Sequence, residues 1–213
     1  MREVGPAYAT SLVLRRIIPR WLFYHRHIYV MQRSLDGWAD KPHDDPNLRL
    51  AGKQDADLIG QLVWDTEKVR DSLSEGAQIA MVVRDGRVQA ASWFKQGQVA
   101  YEHWLTLVTP EDAVCSMFVF TAKDARGQGH FGRVVKFNCR ESARAGLART
   151  VSIVDHLNRN SWSATMKIGG QRVGTIRVWG VFGFLLVKAG STWRTGRWDQ
   201  DRRLALGFDE LGT

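Results

Sequence analysis

Short apolar runs separated by glycine and acid-glycine pairs dominate the middle of this chain. Ile79 to Val83 and Val88 to Phe94 have strand length and composition, and the Asp85-Gly86 pair between them signals a tight hairpin. Asn47 to Ala51 predicts a short strand ahead of them, Val99 to Val108 a third long one, and Ala113 to Phe120 a fourth. Asp55 is placed to cap a helix carrying Leu58, Ile59, Leu62, Val63 and Val69. After Phe120 the period lengthens. Val134, Val135, Phe137, Asn138 and Cys139 fit the first turns of a helix reaching about Ala145. A buried strand follows over Thr150 to Val154, then a short helix over Ser161 to Ile168 and a hairpin of Arg172 to Trp179 with Phe182 to Val187. A meander followed by one βαβ unit predicts an α/β fold. We expect a mixed, mostly antiparallel central sheet of about seven strands with helices on both faces.

Polarity marks the boundaries. Residues 1–46 read as a basic extension: no acid occurs between Glu3 and Asp36, while Arg15, Arg16, Arg20, Arg26 and Arg33 occur with His25 and His27. Within it, Ile28 to Leu35 predicts a strand at the sheet edge, and Asp40 to Pro46 a linker. Residues 47–190 form the main domain. Residues 191–213 read as a polar tail carrying Trp193 and Trp198.

Composition narrows the class. With 213 residues the chain can bury a real core. Its two cysteines, Cys115 and Cys139, lie in apolar stretches and read as buried thiols of a reducing, cytoplasmic setting. No apolar run is long enough for a spanning helix. Arginines and Pro19 interrupt Leu12 to Phe23, unlike a signal peptide. The net charge of +8 favours an anionic partner: a phosphorylated cofactor, an acidic acyl-carrier protein or a membrane surface. Zinc-finger and basic-zipper spacings are lacking, so neither nucleic acid nor a metal centre is expected.

The chemistry centres on Arg126-Gly127-Gln128-Gly129-His130-Phe131-Gly132-Arg133, between the fourth strand and a helix. A glycine-rich turn delivering a chain into a helix N-terminus cradles phosphate, because the backbone can approach closely and the first N–H groups point outward. Arg133-Val134 stands where a P-loop needs Lys and Ser or Thr. Gly127, Gly129 and Gly132 do match the dinucleotide fingerprint, with Asp155 downstream, but the antiparallel hairpins before the loop do not suit it.

Arg126-Gly127-Gln128-Gly129 resembles the acyl-CoA loop of the GCN5-related N-acetyltransferases (GNAT), Gln/Arg-x-x-Gly-x-Gly/Ala. Asn158-Arg159-Asn160-Ser161 with Lys167-Ile168-Gly169 resembles that family's later Asn-x-x-Ser and Lys-x-Gly-Phe block. The resemblance runs from about Asn47 to Ala189. The chain departs from the pattern at Phe131, at Gly170 and at Thr165, which stands where the family often places an acid Tyr.

The resemblance implies an N-acyltransferase that carries an acetyl or other acyl group from acyl-CoA to a primary amine, on a small molecule, an amino sugar or a protein. Gln128 to Arg133 would grip pyrophosphate, with Arg126 and Arg133 adding charge. The pantetheine arm would pair along Phe118, Val119 and Phe120, whose N–H groups can polarise the thioester carbonyl. Asn158 and Ser161 would hold the same arm. Glu102 and His103 are the candidate bases, on a strand the resemblance places beside the cofactor strand. Alternation lets only one of them face a cleft. Asp155 and His156 come second. His130 reads as a packing or phosphate-facing residue, and Cys115 as core. Two alternatives stand: a non-catalytic module binding CoA or an acyl-carrier protein, and a membrane-surface acyltransferase docking through residues 12–33.

Overall fold

The computed structural model describes residues 19, 22–42, 45–102, 104–198 and 204–211. They form two compact units. One comprises Ser34–Gly97 and Glu111–Thr150; the other comprises Gln98–Pro110, Val151–Thr213 and the segment ending at Arg33.

The first unit carries β2 (Leu48–Leu50), β3 (Gln78–Arg84), β4 (Arg87–Lys95) and β7 (Ala113–Thr121), ordered β2-β3-β4-β7 with every ladder antiparallel. Asp85 and Gly86 both take positive φ, 51° and 70°, as a two-residue hairpin turn demands. Alternation then splits β3 between two cores. Ile79 and Met81 join Trp93, Ile59 and Val69 beneath α1 (Ala56–Val63) and α2 (Thr66–Ser74). Ala80 and Val82 are equally buried on the other face, and α3 (His130–Arg144) packs on β3 and β4. Buried Asn138 fastens α3: its Nδ2 donates to the Ser92 carbonyl at 3.0 Å and to Ser92 Oγ at 2.7 Å, and its Oδ1 accepts from Gln78 at 3.0 Å.

The helix expected from Leu58 to Val69 is two helices. Trp64 ends α1 in the left-handed region at φ 56°, and Asp65 restarts the chain by accepting the Lys68 N–H at 3.0 Å. Asp55 caps neither helix with its side chain. It takes the Gly52 N–H at 2.8 Å and a forked pair from Arg49 at 2.7 and 2.6 Å, which hold its carboxyl below the ordinary value.

In the second unit β1 (Phe23–Ser34), β8 (Arg149–Asp155), β9 (Gln171–Val181), β10 (Phe184–Ala189) and β11 (Thr192–Arg197) run in the order β11-β10-β9-β1-β8. β1 is therefore an interior strand, longer than expected and flanked on both sides, instead of an edge. The rest of the candidate membrane element, 12–18, 20 and 21, lies outside the described residues. The predicted short helix is α4 (Arg159–Lys167).

The expected strand Val99 to Val108 is a hairpin, β5 (Gln98–Glu102) and β6 (Leu105–Val108), in a separate three-stranded sheet ordered β12-β6-β5. Its third member, β12 (Leu204–Gly207), pairs parallel with β6. A 3₁₀ turn over Phe208–Leu211 follows, with Phe208 and Leu211 fully buried. Gly174 makes room for it, since a Cβ there would lie 2.0 Å from the Leu211 carbonyl oxygen. Structured strands thus occupy the stretch read as a polar tail. The first unit holds four strands in the order given and the second five, against a central sheet of about seven expected.

Candidate functional site

In the first unit β7 runs into a 3₁₀ turn at Lys123–Ala125, then Gly127 and Gly129, then α3. Both glycines take left-handed backbone, φ 81° and 79°. A Cβ on either would meet nothing within 4 Å, so glycine is needed here for its backbone angle, and the turn stays open on its outer side. Gly129 is the cap position of α3 and supplies no side chain, leaving the first helical N–H groups to whatever approaches. Gln128 braces the turn by donating to the Asp124 carbonyl at 3.2 Å. Arg126 is exposed, Phe131 and Gly132 are half-buried, and Arg133 reaches Asp45 at 3.3 Å.

His130 points inward and is 2% exposed, with no hydrogen-bond partner at either ring nitrogen among the described residues. Burial, then the charges of Arg133 and Arg84, lowers its pKa below the ordinary value and keeps the ring neutral. Cys115 on β7 is buried, which pushes its thiol up to about 12 and fits a core residue.

Phe118, Val119 and Phe120 lie on β7 opposite Trp93, Ser92 and Ala91 of β4. A register shift at Trp93/Phe94 leaves Met117 without a partner on β4, a local break in the ladder next to these residues. Phe120 meets Trp93 edge-on at 5.6 Å, and the Lys68 ammonium lies 5.3 Å from the Phe118 ring. Loop and strand candidates thus belong to one continuous segment of one unit. The partner of β7 on this side is β4, whereas Glu102 ends β5 in the separate small sheet. That corrects the expected neighbour relation. Local alternation says which face a residue takes but not which sheet its strand joins.

Glu102 instead belongs to a polar cluster of the second unit. Arg26 of β1 pairs with Glu102 and, at 3.4 Å, with Asp155 at the end of β8. Its guanidinium lies 5.7 Å from the Tyr101 ring. Burial pulls the Arg26 pKa down, yet Tyr101, Tyr24 and Glu102 together hold it above the ordinary arginine value. Burial also pushes the Tyr101 hydroxyl up to about 12. His103 lies outside the described residues.

His156 sits beside this cluster. Its Nδ1 is 3.0 Å from the His27 carbonyl oxygen, a contact that requires the proton on Nδ1 and leaves Nε2 as an acceptor. The two imidazoles lie 4.6 Å apart, tilted by 36°, and burial with the neighbouring His156 lowers the pKa of His27. Asn158 caps α4 by accepting the Ser161 N–H at 3.2 Å, and Thr165 Oγ1 donates to the Ser161 carbonyl at 2.9 Å. Sequence reasoning missed Arg26 and Tyr101, which join Glu102 and Asp155, and His27, which meets His156. Arg26 and His27 are consecutive on β1 and Tyr101 lies on β5, and strand alternation does not name such distant partners. Among the described residues no group of three or more His, Cys, Asp or Glu side chains could hold a metal, and no helix is long and apolar enough to cross a membrane.

No protein-family model matches the sequence, and no curated protein does. Solved structures do match. A GNAT-family protein from Novosphingobium aromaticivorans is 16% identical with a TM-score of 0.55, the match covering 72% of this chain and 63% of that one. An acetyltransferase of the GNAT family from Colwellia psychrerythraea is 14% identical with a TM-score of 0.53, covering 82% and 62%. A GCN5-related N-acetyltransferase from Sphaerobacter thermophilus is 13% identical with a TM-score of 0.51, covering 93% and 59%. The chain spans about three fifths of the length of these relatives. These matches, each with a TM-score above 0.5, show the fold: the chain has the GNAT fold.

Proposed function

We propose that this chain is an acyl-CoA-dependent N-acyltransferase that acylates a primary amine on a small molecule or an amino sugar. One observation carries the reading: β7 passes through two left-handed glycines into a helix start with no side-chain cap. Such an N-terminus binds a phosphate anion, and the pyrophosphate of CoA is the anion this fold's loop motif serves. Arg126 and Arg133 add charge there. The N–H groups around Met117 and Phe118 are suited to polarise a thioester carbonyl.

The reaction needs a neutral amine. Its nitrogen attacks the thioester carbon, a C–N bond forms, the C–S bond breaks, and the thiolate leaves as the amine gives up a proton. The resemblance offers His156 as the second candidate for that proton, and the His27 carbonyl oxygen at its Nδ1 leaves Nε2 as the acceptor. Glu102, the first choice from sequence, is engaged by Arg26 and suits orienting that arginine and Asp155 better than accepting a proton.

A second reading, a non-catalytic module for CoA or an acyl-carrier protein, draws support from Thr165. It stands at the family's Tyr position, and its hydroxyl is spent on the Ser161 carbonyl. Thiol release from acetyl-CoA over a panel of amines, alongside calorimetric binding, separates the two. Gly129→Asp should weaken acetyl-CoA binding at least tenfold, roughly 1.4 kcal/mol. His156→Gln should keep binding and lose most turnover at neutral pH, with partial recovery at high pH. Undiminished binding by folded Gly129→Asp defeats the carrier assignment. Binding with no thiol release from any amine favours the module.

A further inference from the structure

Residues 22–35 and 170–198 contain no Asp or Glu. These spans supply β1, β9, β10 and β11. Alternation sends Ile28, Ile176, Val178, Leu185 and Val187 inward, where all are buried. The opposite set lines up in rows across the ladders. Phe23, Val181, Phe184 and Arg197 form one row, and His25, Trp179, Leu186 and Thr195 the next. His27, Arg177, Lys188 and Trp193 form the third. This open face grades from cationic and indole-rich to apolar at the β9–β10 turn. There Phe182 is 67% and Phe184 63% exposed, with Phe23, Val181 and Leu22 exposed beside them. Trp179 and Trp193 stack at 5.9 Å, the Lys188 ammonium lies 5.3 Å from the Trp193 ring, and the Arg197 guanidinium 5.4 Å from the Phe184 ring.

The turn itself points to a use. Phe182 and Gly183 take φ 49° and 80°, the same hairpin geometry that Asp85-Gly86 serves between β3 and β4. Asp or Asn tolerates that left-handed first position; Phe is strained there. Phe182 recovers little by packing, since most of it faces outward. A strained, exposed ring at the tip of an apolar cluster marks a site selected for contact with something else.

We infer that this end of the sheet docks on an anionic lipid bilayer, with Phe182, Phe184 and Phe23 entering the boundary between headgroups and acyl chains while Arg177, Lys188 and Arg197 meet lipid phosphates. Tryptophans favour that depth, and basic side chains are drawn to anionic leaflets. Charge argues against a second copy, because strands that carry cations and no acids repel their own copies. A nucleic-acid strand needs cations interleaved with stackable rings, whereas here aliphatic Leu22 and Val181 lie with the phenylalanines at the tip.

The test is co-sedimentation of the full chain with vesicles of phosphatidylcholine alone and of phosphatidylcholine mixed with phosphatidylserine. The chain should pellet with the mixed vesicles, stay in solution with the neutral ones, and be released by salt. Phe182→Asn with Phe184→Ser should lower partitioning at least tenfold without lowering the melting temperature, since Asn suits the turn. Arg177→Glu with Lys188→Glu should abolish the preference for phosphatidylserine. Failure to pellet with the mixed vesicles overturns the proposal, as does wild-type partitioning by the phenylalanine variant. A dimer dissolved by that variant, or a single-stranded oligonucleotide bound through the same residues, assigns the face elsewhere and also overturns it.

Discussion

His130 shows how one side chain couples the glycine turn to acidity. Its ring is buried and neutral behind the turn, with Arg133 and Arg84 opposing its cation. The unfolded chain binds a proton near the ordinary histidine pKa, while the folded chain binds it only at lower pH. Stability is therefore complete above that value and declines as pH falls through the window beneath it. His27, lowered by burial and by His156, contributes with the same sign. The urea midpoint should fall between about pH 7.5 and about pH 5.5, and His130→Gln should flatten the decline. A midpoint that holds steady across that range contradicts the assignment. Asp55, held low by Arg49, acts with the same sign but only in more acidic solution.

At the level of elements, the break between α1 and α2 rests on Trp64, left-handed and 84% exposed. A bulky residue pays about 1 kcal/mol or more for that backbone, and glycine pays almost nothing. Trp64→Gly should raise the melting temperature by about 2–4 °C in calorimetry. A lower one would mean that the indole holds the helices by packing. This break was illegible in the sequence because the apolar positions on both sides keep one helical phase, and only Asp65 announces a second cap. Hairpins were legible where the turn pair dictates geometry, as at Asp85-Gly86. The glycine turn was legible for the same reason, since Gly127 and Gly129 declare a backbone angle by themselves. Glu102 was misplaced because its strand pairs with β6 in the small sheet, beside Trp104, which packs against Tyr24 at 6.1 Å, and such pairing is set by tertiary structure. Phe208 and Leu211 were read as tail for a related reason: two buried apolar residues among charges show no period.

Across the whole molecule, a net charge of +8 should add a diffuse attraction for CoA to the local grip of the loop. Acetyl-CoA affinity should weaken as salt rises, while a neutral pantetheine fragment should respond little. Equal salt slopes, measured by calorimetry, would assign binding to contacts other than charge. Strand order has a separate consequence, for how the chain is made. β1 leaves the ribosome before every other described strand, yet both of its neighbours, β8 and β9, follow it by most of the chain. The unit ending at Thr150 is fully synthesised before β9 exists. During synthesis β1 is therefore a strand with one apolar face and two unmet edges, the kind of segment that chaperones shield and that aggregates when they do not. The earliest strand to be born is among the last that can dock, so birth order and folding order run opposite ways in half of this protein.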